Sequence, residues 1–525
     1  MTLARLTDED RQIAAEILLK ACDVELLEQA LSAEDVYLGF QPELLSLNRK
    51  EKHKRLATLV IYLLGDGLLQ SLLIRSALLS KKKDISTATW RPGSAAAVHI
   101  CESLGLPAVF AGEQVLSYLP PAQRLISKIP ITNLLDYQKE VFQNSLKYLE
   151  QGDSALLSLP TGGGKTLVAT QILKSWHTKS RYVTSIWLAH TEELCEQAAQ
   201  CIIQVWQSEE SPMPAVLFRA WGRNSKKMVS GEYFQDAETN DPESSIHSII
   251  VTTPQTAMRI FRSKITGSFG RAIAQLSLLI IDEAHRAAAP MYKDVIALSS
   301  KQTKQQVALL GLSATPIRGT YTSRPYEGTQ ELARLFKRLV EPIETLGEKE
   351  SPAEALRKRG VLSSLEIIKV GHVGMSTFEL AKTISEIKRK QKEYTPALYF
   401  AENVSDAKVM ATHLAELGHR AEYITSETSS AERTNLVESL RRGHVEILCN
   451  CEILTTGFDA PKVSEIYLAR TTNSPVLYKQ IIGRGLRGPR IGGSDKCRLY
   501  LCAISLPFES DPNTSQFARS IWNSN

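Results

Sequence analysis

Ser158-Leu159-Pro160-Thr161-Gly162-Gly163-Gly164-Lys165-Thr166 closes an apolar run, 154–160, and opens an amphipathic stretch that continues from Leu167 to Trp176. A strand, a glycine turn and a helix in that order make a loop for phosphate. Glycines let the backbone curl with its N–H groups turned inward, and the helix N-terminus adds positive potential. Thr161, Gly162, Gly163 and Gly164 would form the cradle. Lys165 would reach the β- and γ-phosphates, and the Thr166 hydroxyl would ligate Mg²⁺. Leu159 stands where the general eight-residue pattern has its first glycine, so the fit is Gly-x-Gly-Lys-Thr.

Around this loop the chain alternates strand and helix. Apolar runs at 154–160, 182–189, 215–220, 248–253, 276–283 and 306–313 are separated by amphipathic stretches. A charged stretch punctuated by Pro and Gly, 321–362, follows and is expected to be a linker. The alternation then resumes near 364–370, 397–401, 421–425, 445–450, 464–469 and 497–503. This pattern implies βαβ units and parallel sheets covered on both faces. The expectation is an α/β chain: one domain over 131–320, a second over 363–525, and a helical accessory domain over 1–130. In that last stretch Thr7 is a candidate N-cap, and Ile13, Ile17, Ala21 and Val24 recur at helical spacing.

A second acidic cluster completes the chemistry. Leu278-Leu279-Ile280-Ile281-Asp282-Glu283-Ala284-His285 is an apolar strand ending in adjacent carboxylates. Ligands of open α/β sheets sit beyond the carboxyl ends of strands. Asp282 would therefore hold Mg²⁺ beside the phosphate loop, and Glu283 would orient and deprotonate a water. Adjacent carboxylates after a strand often serve only as a helix N-terminal pair. Together with the phosphate loop, ATP hydrolysis is the better reading.

The ordered motifs resemble the superfamily-2 helicases and translocases from about 134 to 503. Leu134–Gln138 resembles the segment whose glutamine reads adenine. Leu188-Ala-His190-Thr191-Glu192-Glu193-Leu194 resembles motif Ia and Thr252-Thr253-Pro254-Gln255 motif Ib. Asp282–His285 resembles the DEAH form of motif II, and Ser313-Ala-Thr315-Pro316 motif III. Leu454-Thr455-Thr456-Gly457-Phe-Asp459-Ala-Pro461 resembles motif V, and Gln480-Ile-Ile-Gly483-Arg484-Gly-Leu-Arg487 motif VI. The wording is most similar to the helicase subunits of type III restriction enzymes and related double-strand-DNA translocases. Glu192 stands where the DEAD-box RNA group has Arg.

The resemblance implies two RecA-like domains with ATP and Mg²⁺ in the cleft between them. By family position Arg484 and Arg487 are arginine fingers, expected one turn apart on a helix from Ser474 to Arg487. Gln138, Gly457 and Asp459 would lie beside the nucleotide. Gln480 and His285 would couple the two halves, and Ser313 and Thr315 would link hydrolysis to movement. Thr191, Thr253 and Thr455 are the family's contacts to the nucleic-acid backbone, which grip without reading sequence. The implied activity is ATP-driven movement along DNA, with double strands favoured. An RNA-dependent ATPase and a scaffold without motor activity are the alternatives.

Composition agrees without deciding. The formal net charge is +5, from 62 basic and 57 acidic residues, too mild to declare a nucleic-acid binder. Residues 1–130 carry 15 of each sign, which favours a protein-binding module there. The basic run Lys382–Lys392 reads as a solvated helix face, and the Gly-rich loop 488–496 as a hairpin connection. Cys449-x-Cys451 reads as packed thiols. Eight cysteines with no metal spacing, and no long apolar segment, give a reduced, cytoplasmic protein without a membrane span as the expectation. After 503 no Pro-Asp…Glu-x-Lys pattern follows. Any cutting is therefore expected from a partner nuclease, recruited through 1–130 in a bacterial defence or repair assembly.

Overall fold

Each apolar run of the two alternating regions is a strand in the computed structural model. It describes residues 6–80, 90–112, 122–125, 134–179, 183–206, 215–222, 224–226, 247–263, 267–303, 306–318, 328–347, 350–372, 374–391, 394–455, 462–472, 474–502, 504 and 514–524. The strands are β1 Ala122–Leu125, β2 Ala155–Ser158, β3 Thr184–Leu188, β4 Ala215–Ala220, β5 His247–Thr252, β6 Leu276–Ile281, β7 Ala308–Ser313 and β8 Arg338–Val340. In the second region they are β9 Ser364–Val370, β10 Ala397–Phe400, β11 Ala421–Ile424, β12 Ile447–Asn450, β13 Glu465–Leu468 and β14 Lys496–Cys502.

The first sheet has the order β1-β4-β5-β3-β6-β7-β2-β8 and the second β11-β12-β10-β13-β14-β9. All pairs are parallel except β1 with β4. Strands β2 to β6 are buried along their whole length, as a parallel sheet covered by helices on both faces requires. Two apolar clusters lie on the first sheet's opposite faces and two on the second's. The register decides the site. Ser158 lies opposite Ser313, and Gly311 opposite Ile281, so β2, β7 and β6 end together.

Three details correct the expected division. The stretch 321–362 is no free linker where it is described. Arg338–Val340 forms β8 beside β2, and Leu346, Ala355, Leu356, Val361 and Leu362 join the first domain's core. Its helices, Ile343–Leu346 and Pro352–Lys358, are too short to leave a periodic pattern. β1 falls inside the stretch expected to be helical, yet it pairs with the edge of the first sheet. The helix Thr514–Ser524 follows the second domain in sequence, yet it packs on the first.

The N-terminal region is helical as its patterning indicates. Thr7 and Asp10 form a capping box on Asp8–Ala21, and Asn48 and Glu51 form another on Arg49–Leu64. Its core is separate but recruits Val409 from the second domain. There Arg55 forks onto Glu43 and Glu416, at 3.0 and 2.8 Å through Nη2, and Lys408 Nζ reaches Glu34 at 2.9 Å. The Phe40 and His413 rings meet edge-on at 5.0 Å. The accessory domain therefore rides on the second α/β domain while its chain continues into the first.

Candidate functional site

The phosphate loop leaves β2 and enters the helix Lys165–Thr178. Gly162 and Gly164 hold φ of +84° and +86°, left-handed values that strain any residue with a Cβ. Lys165 Nζ donates to the Leu159 carbonyl at 3.2 Å. Burial pulls the Lys165 ammonium down, and the nearby Glu283 and Asp282 oppose the shift. Thr166 follows on the first helical turn.

Gln138 is buried against this loop. Its Nε2 donates to the Gly163 carbonyl at 3.1 Å, and its Oε1 accepts from the Leu135 N–H at 2.9 Å. The side chain expected to read adenine thus caps its own helix and buttresses the loop. Tyr137 of the same segment, which the resemblance gives no role, donates to the same carbonyl at 3.0 Å.

Asp282 and Glu283 emerge from β6 at 6% and 7% exposure. Burial and the adjacent Glu283 push the Asp282 carboxyl up to about 7. Burial acts on Glu283 in the same direction, but His285, Lys165 and Arg484 outweigh it and hold that carboxyl down. His285 Nδ1 lies 3.3 Å from Glu283 Oε2. Glu283 itself sits at a φ of 49°, in the left-handed region. Such a backbone strains a residue with a Cβ by roughly 1–3 kcal/mol. The pair is therefore asymmetric: burial and the neighbouring charge push Asp282 up, while His285, Lys165 and Arg484 hold Glu283 down.

The second domain reaches this site through motif VI. The helix Pro475–Ile482 ends before the arginines, which corrects the expected helix to Arg487. Gly483 lies so close to the phosphate loop that a Cβ there would come within 2.4 Å of Thr161 Cβ. A turn follows, and Arg487 pairs in extended fashion with Leu362. The two guanidiniums consequently part. Arg484 is 9% exposed, and burial lowers it to about 10 against the pull of Glu283 and Asp282. Arg487 is lowered to about 10 by burial and by the like charge of Arg441. Arg484 faces the carboxylates; Arg487 does not share that surrounding, although its stem runs beside Gly162. Gln480 is buried, and its Nε2 has no hydrogen-bond partner among the described residues. It is one buried donor near the cleft that a ligand could satisfy.

The other predicted positions are built into turns and caps. Ser313 Oγ donates to the Thr315 carbonyl at 2.6 Å and accepts from the Thr315 N–H at 3.2 Å, both residues being buried. Thr191 accepts from the Leu194 N–H at 3.3 Å and Thr253 from the Thr256 N–H at 3.4 Å, each at a helix start after a strand end. Thr455 is buried and donates to the Glu452 carbonyl at 2.5 Å. Gly457 and Asp459 lie outside the described residues. The domains are also joined by an ion pair between Glu193 and Arg433, which the motif reading missed.

The site fits a nucleotide. The Lys165 ammonium, two left-handed glycines of the loop and the Arg484 guanidinium from the facing domain gather at the strand ends beside the carboxylate pair. For a divalent cation the donors would be the Thr166 hydroxyl and the Asp282 carboxylate, a sparse set of the kind Mg²⁺ accepts when phosphates supply the rest. No cluster of three or more His, Cys, Asp or Glu able to hold a metal occurs among the described residues. No helix among them is long and apolar enough to cross a membrane.

Comparison with known proteins agrees with this geometry. The family described as type III restriction enzyme, res subunit, matches residues 131–318, and the helicase conserved C-terminal domain matches 379–488. IRC3 of Saccharomyces cerevisiae, provisionally named as an ATP-dependent helicase, is 28% identical over 374 residues, 67% of this chain and 49% of IRC3. The ATP-dependent DNA helicase mph1 of Neosartorya fischeri is 28% identical over 219 residues, 39% of this chain and 17% of that protein. The chain spans about half the length of the curated relatives it first matches. Among solved structures, the type ISP restriction-modification enzyme LlaBIII bound to DNA superposes with a TM-score of 0.52 at 14% identity, covering 75% of this chain and 30% of that one. That likeness concerns the fold. With two helicase families matched in order over more than half its length, and tandem RecA-like sheets meeting at motifs I, II and VI, the chain belongs to the superfamily-2 helicases.

Proposed function

We propose that this chain is a nucleic-acid-dependent ATPase that couples ATP hydrolysis to movement along DNA or to its unwinding. The observation that carries the reading is the contact of Gly483 of the second domain with Thr161 of the phosphate loop, which brings Arg484 within electrostatic reach of Glu283, Asp282 and Lys165. Bound ATP and Mg²⁺ supply the phosphoryl group and the charge that screens it. Lys165 and the loop N–H groups bind the phosphates, with Thr166 and Asp282 on the cation. Glu283, ionised and fixed by His285, orients the attacking water and accepts its proton. Arg484 stabilises charge that develops only when the domains are closed, so turnover depends on closure. Thr191 keeps a hydroxyl proton to donate to a backbone phosphate while accepting at its cap, whereas the Thr253 hydroxyl donates to Thr256 Oγ1 at 3.3 Å and would have to turn from it to reach one. A cycle that shifts these contacts against those of the second domain moves the track.

DNA is favoured by the relative named as a DNA helicase and by Glu192 in motif Ia. Residues 1–130 are the proposed seat of a protein partner, such as a separate nuclease in a defence or repair assembly. Leu38, Leu45 and Leu72 of that region are exposed by 76%, 74% and 65%. Large apolar side chains left in water suit a surface that meets another protein. All eight cysteines are free thiols, as a reducing compartment such as the cytoplasm maintains.

The test is ATPase activity of the purified chain with duplex DNA, single-stranded DNA and RNA. Greatest stimulation by duplex DNA is expected, with a loss of at least ~100-fold in Lys165→Ala. Equal or greater stimulation by RNA would overturn the DNA assignment. A Lys165→Ala chain with unchanged cellular activity would make the protein a scaffold.

A further inference from the structure

Glu341 is a carboxylate of the first domain that the chemistry above leaves unused, and it is only 4% exposed. It directly follows β8, whose ladder with β2 ends at Leu157 opposite Val340. One position further on, side chains continue the contact: the Ser158 hydroxyl donates to Glu341 Oε1 at 3.4 Å. The other carboxylate oxygen accepts from Arg519 Nε at 2.6 Å. Arg519 belongs to the helix Thr514–Ser524, which follows the second domain's last strand in sequence. The same helix donates Trp522 Nε1 to the Phe336 carbonyl at 2.8 Å. The Phe336 ring in turn packs on Gly311 of β7 and shares an apolar cluster with Ala284, the residue after Glu283.

Ser158 is the root of the phosphate loop. The N–H of its neighbour Leu159 donates to the Ser313 carbonyl at 3.3 Å, and the Leu159 carbonyl accepts from Lys165. A group that holds Ser158 from the β8 side therefore bears on where Leu159 and Lys165 sit. Burial pushes the Glu341 carboxyl up, and Arg519 opposes that shift. Removing the guanidinium would leave a buried charge without its partner, and such a charge either protonates or drags its surroundings apart.

We propose that Glu341 is a positioning residue of the phosphate loop, acting through Ser158, and that the C-terminal helix holds it in place through Arg519, so that the tail of the second domain completes the ATP site of the first. This rests on the ATP-site reading above. It adds a covalent route by which the second domain bears on nucleotide affinity, apart from the arginine it presents across the cleft.

The experiment measures binding of a fluorescent ATP analogue, and KM against kcat for ATP, in the full chain. Arg519→Ala is expected to raise the dissociation constant and KM about five- to tenfold with a smaller change in kcat, the scale of one charge-assisted hydrogen bond. Its defect should shrink as pH falls, because burial favours the protonated carboxyl and a protonated Glu341 no longer needs the cation. Arg519→Lys should recover part of the affinity. Arg519→Ala combined with Glu341→Gln should return to within about twofold of wild type, since a neutral amide still accepts from Ser158. A helix that merely stabilises the domain would leave the double variant as impaired as Arg519→Ala and its pH profile parallel to wild type. Either result overturns the proposal, as does unchanged affinity in Arg519→Ala. Should Arg519→Ala melt below the assay temperature, Ser158→Ala, which leaves the helix docked, must raise the dissociation constant about threefold; no change there also overturns it. A wild-type chain that fails to bind the analogue sinks the ATP-site reading and this inference with it.

Discussion

Arg484 and Arg487 stand three positions apart with the same side chain, and the turn after Ile482 gives them different tasks. Arg484 feels the charges of Glu283 and Asp282, and Arg487 the like charge of Arg441. Arg484→Ala should lower nucleic-acid-stimulated kcat by about 10³, the lower range for an arginine finger. Arg487→Ala should cost at least about tenfold less in the same steady-state assay. Equal losses would show that both guanidiniums work at the phosphate. Gly483 gives a second test at this contact. Gly483→Val must separate Thr161 from motif VI, so kcat should fall at least ~10-fold while the melting temperature stays within a few degrees.

Among elements, the helix Val404–Glu416 bears the accessory domain. Two of its charged side chains, Lys408 and Glu416, are tied to that domain, and Val409 is part of its core. Arg55 and Glu416 are 25% and 11% exposed, between the surface and interior limits. Arg55→Glu should therefore destabilise the docked domain by about 1–3 kcal/mol. Limited proteolysis of the accessory domain should quicken accordingly. The reversed pair, Arg55→Glu with Glu416→Arg, should restore most of the protection. If the double variant is cut as fast as the single one, this ion pair does not hold the domains together.

For the molecule as a whole, buried histidines in the first domain link folding to pH. Burial, with His247 adding to it, holds His177 well below its ordinary 6.5; burial also lowers His247, and burial with Arg286 brings His190 to about 4. Each is neutral when folded and takes a proton when unfolded. Stability from this source is present above about pH 6.5 and drains away as pH falls toward the lower folded values. The melting temperature should thus drop between pH ~7 and ~5. His177 Nε2 lies 2.8 Å from Ser185 Oγ, a bond that His177→Leu also removes. That variant should be less stable at neutral pH but show a shallower slope. An unchanged slope would assign the acid sensitivity to other groups.

Much of this protein is written in local sequence. Strand–turn–helix order at 158–166 and apolar runs at regular intervals specify two parallel sheets, because a strand buried on both faces must be apolar throughout. The meeting of Lys165 with Asp282 and Glu283 was legible for the same reason: the carboxylates close one strand, the lysine follows the loop that leaves another, and strand ends gather without further instruction. What could not be read is what crosses between elements. β1, Ala122–Leu125, and β8, Arg338–Val340, carry polar or charged side chains and form no apolar run that would declare them. The separate surroundings of Arg484 and Arg487 depend on where one helix stops. The approach of Gly483 to Thr161, the ride of the accessory domain on Val404–Glu416, and the return of Arg519 to Glu341 join residues far apart in the chain. Such contacts carry no periodic mark. They exist because two folded surfaces happen to complement each other, and that complementarity is a property of the packed chain.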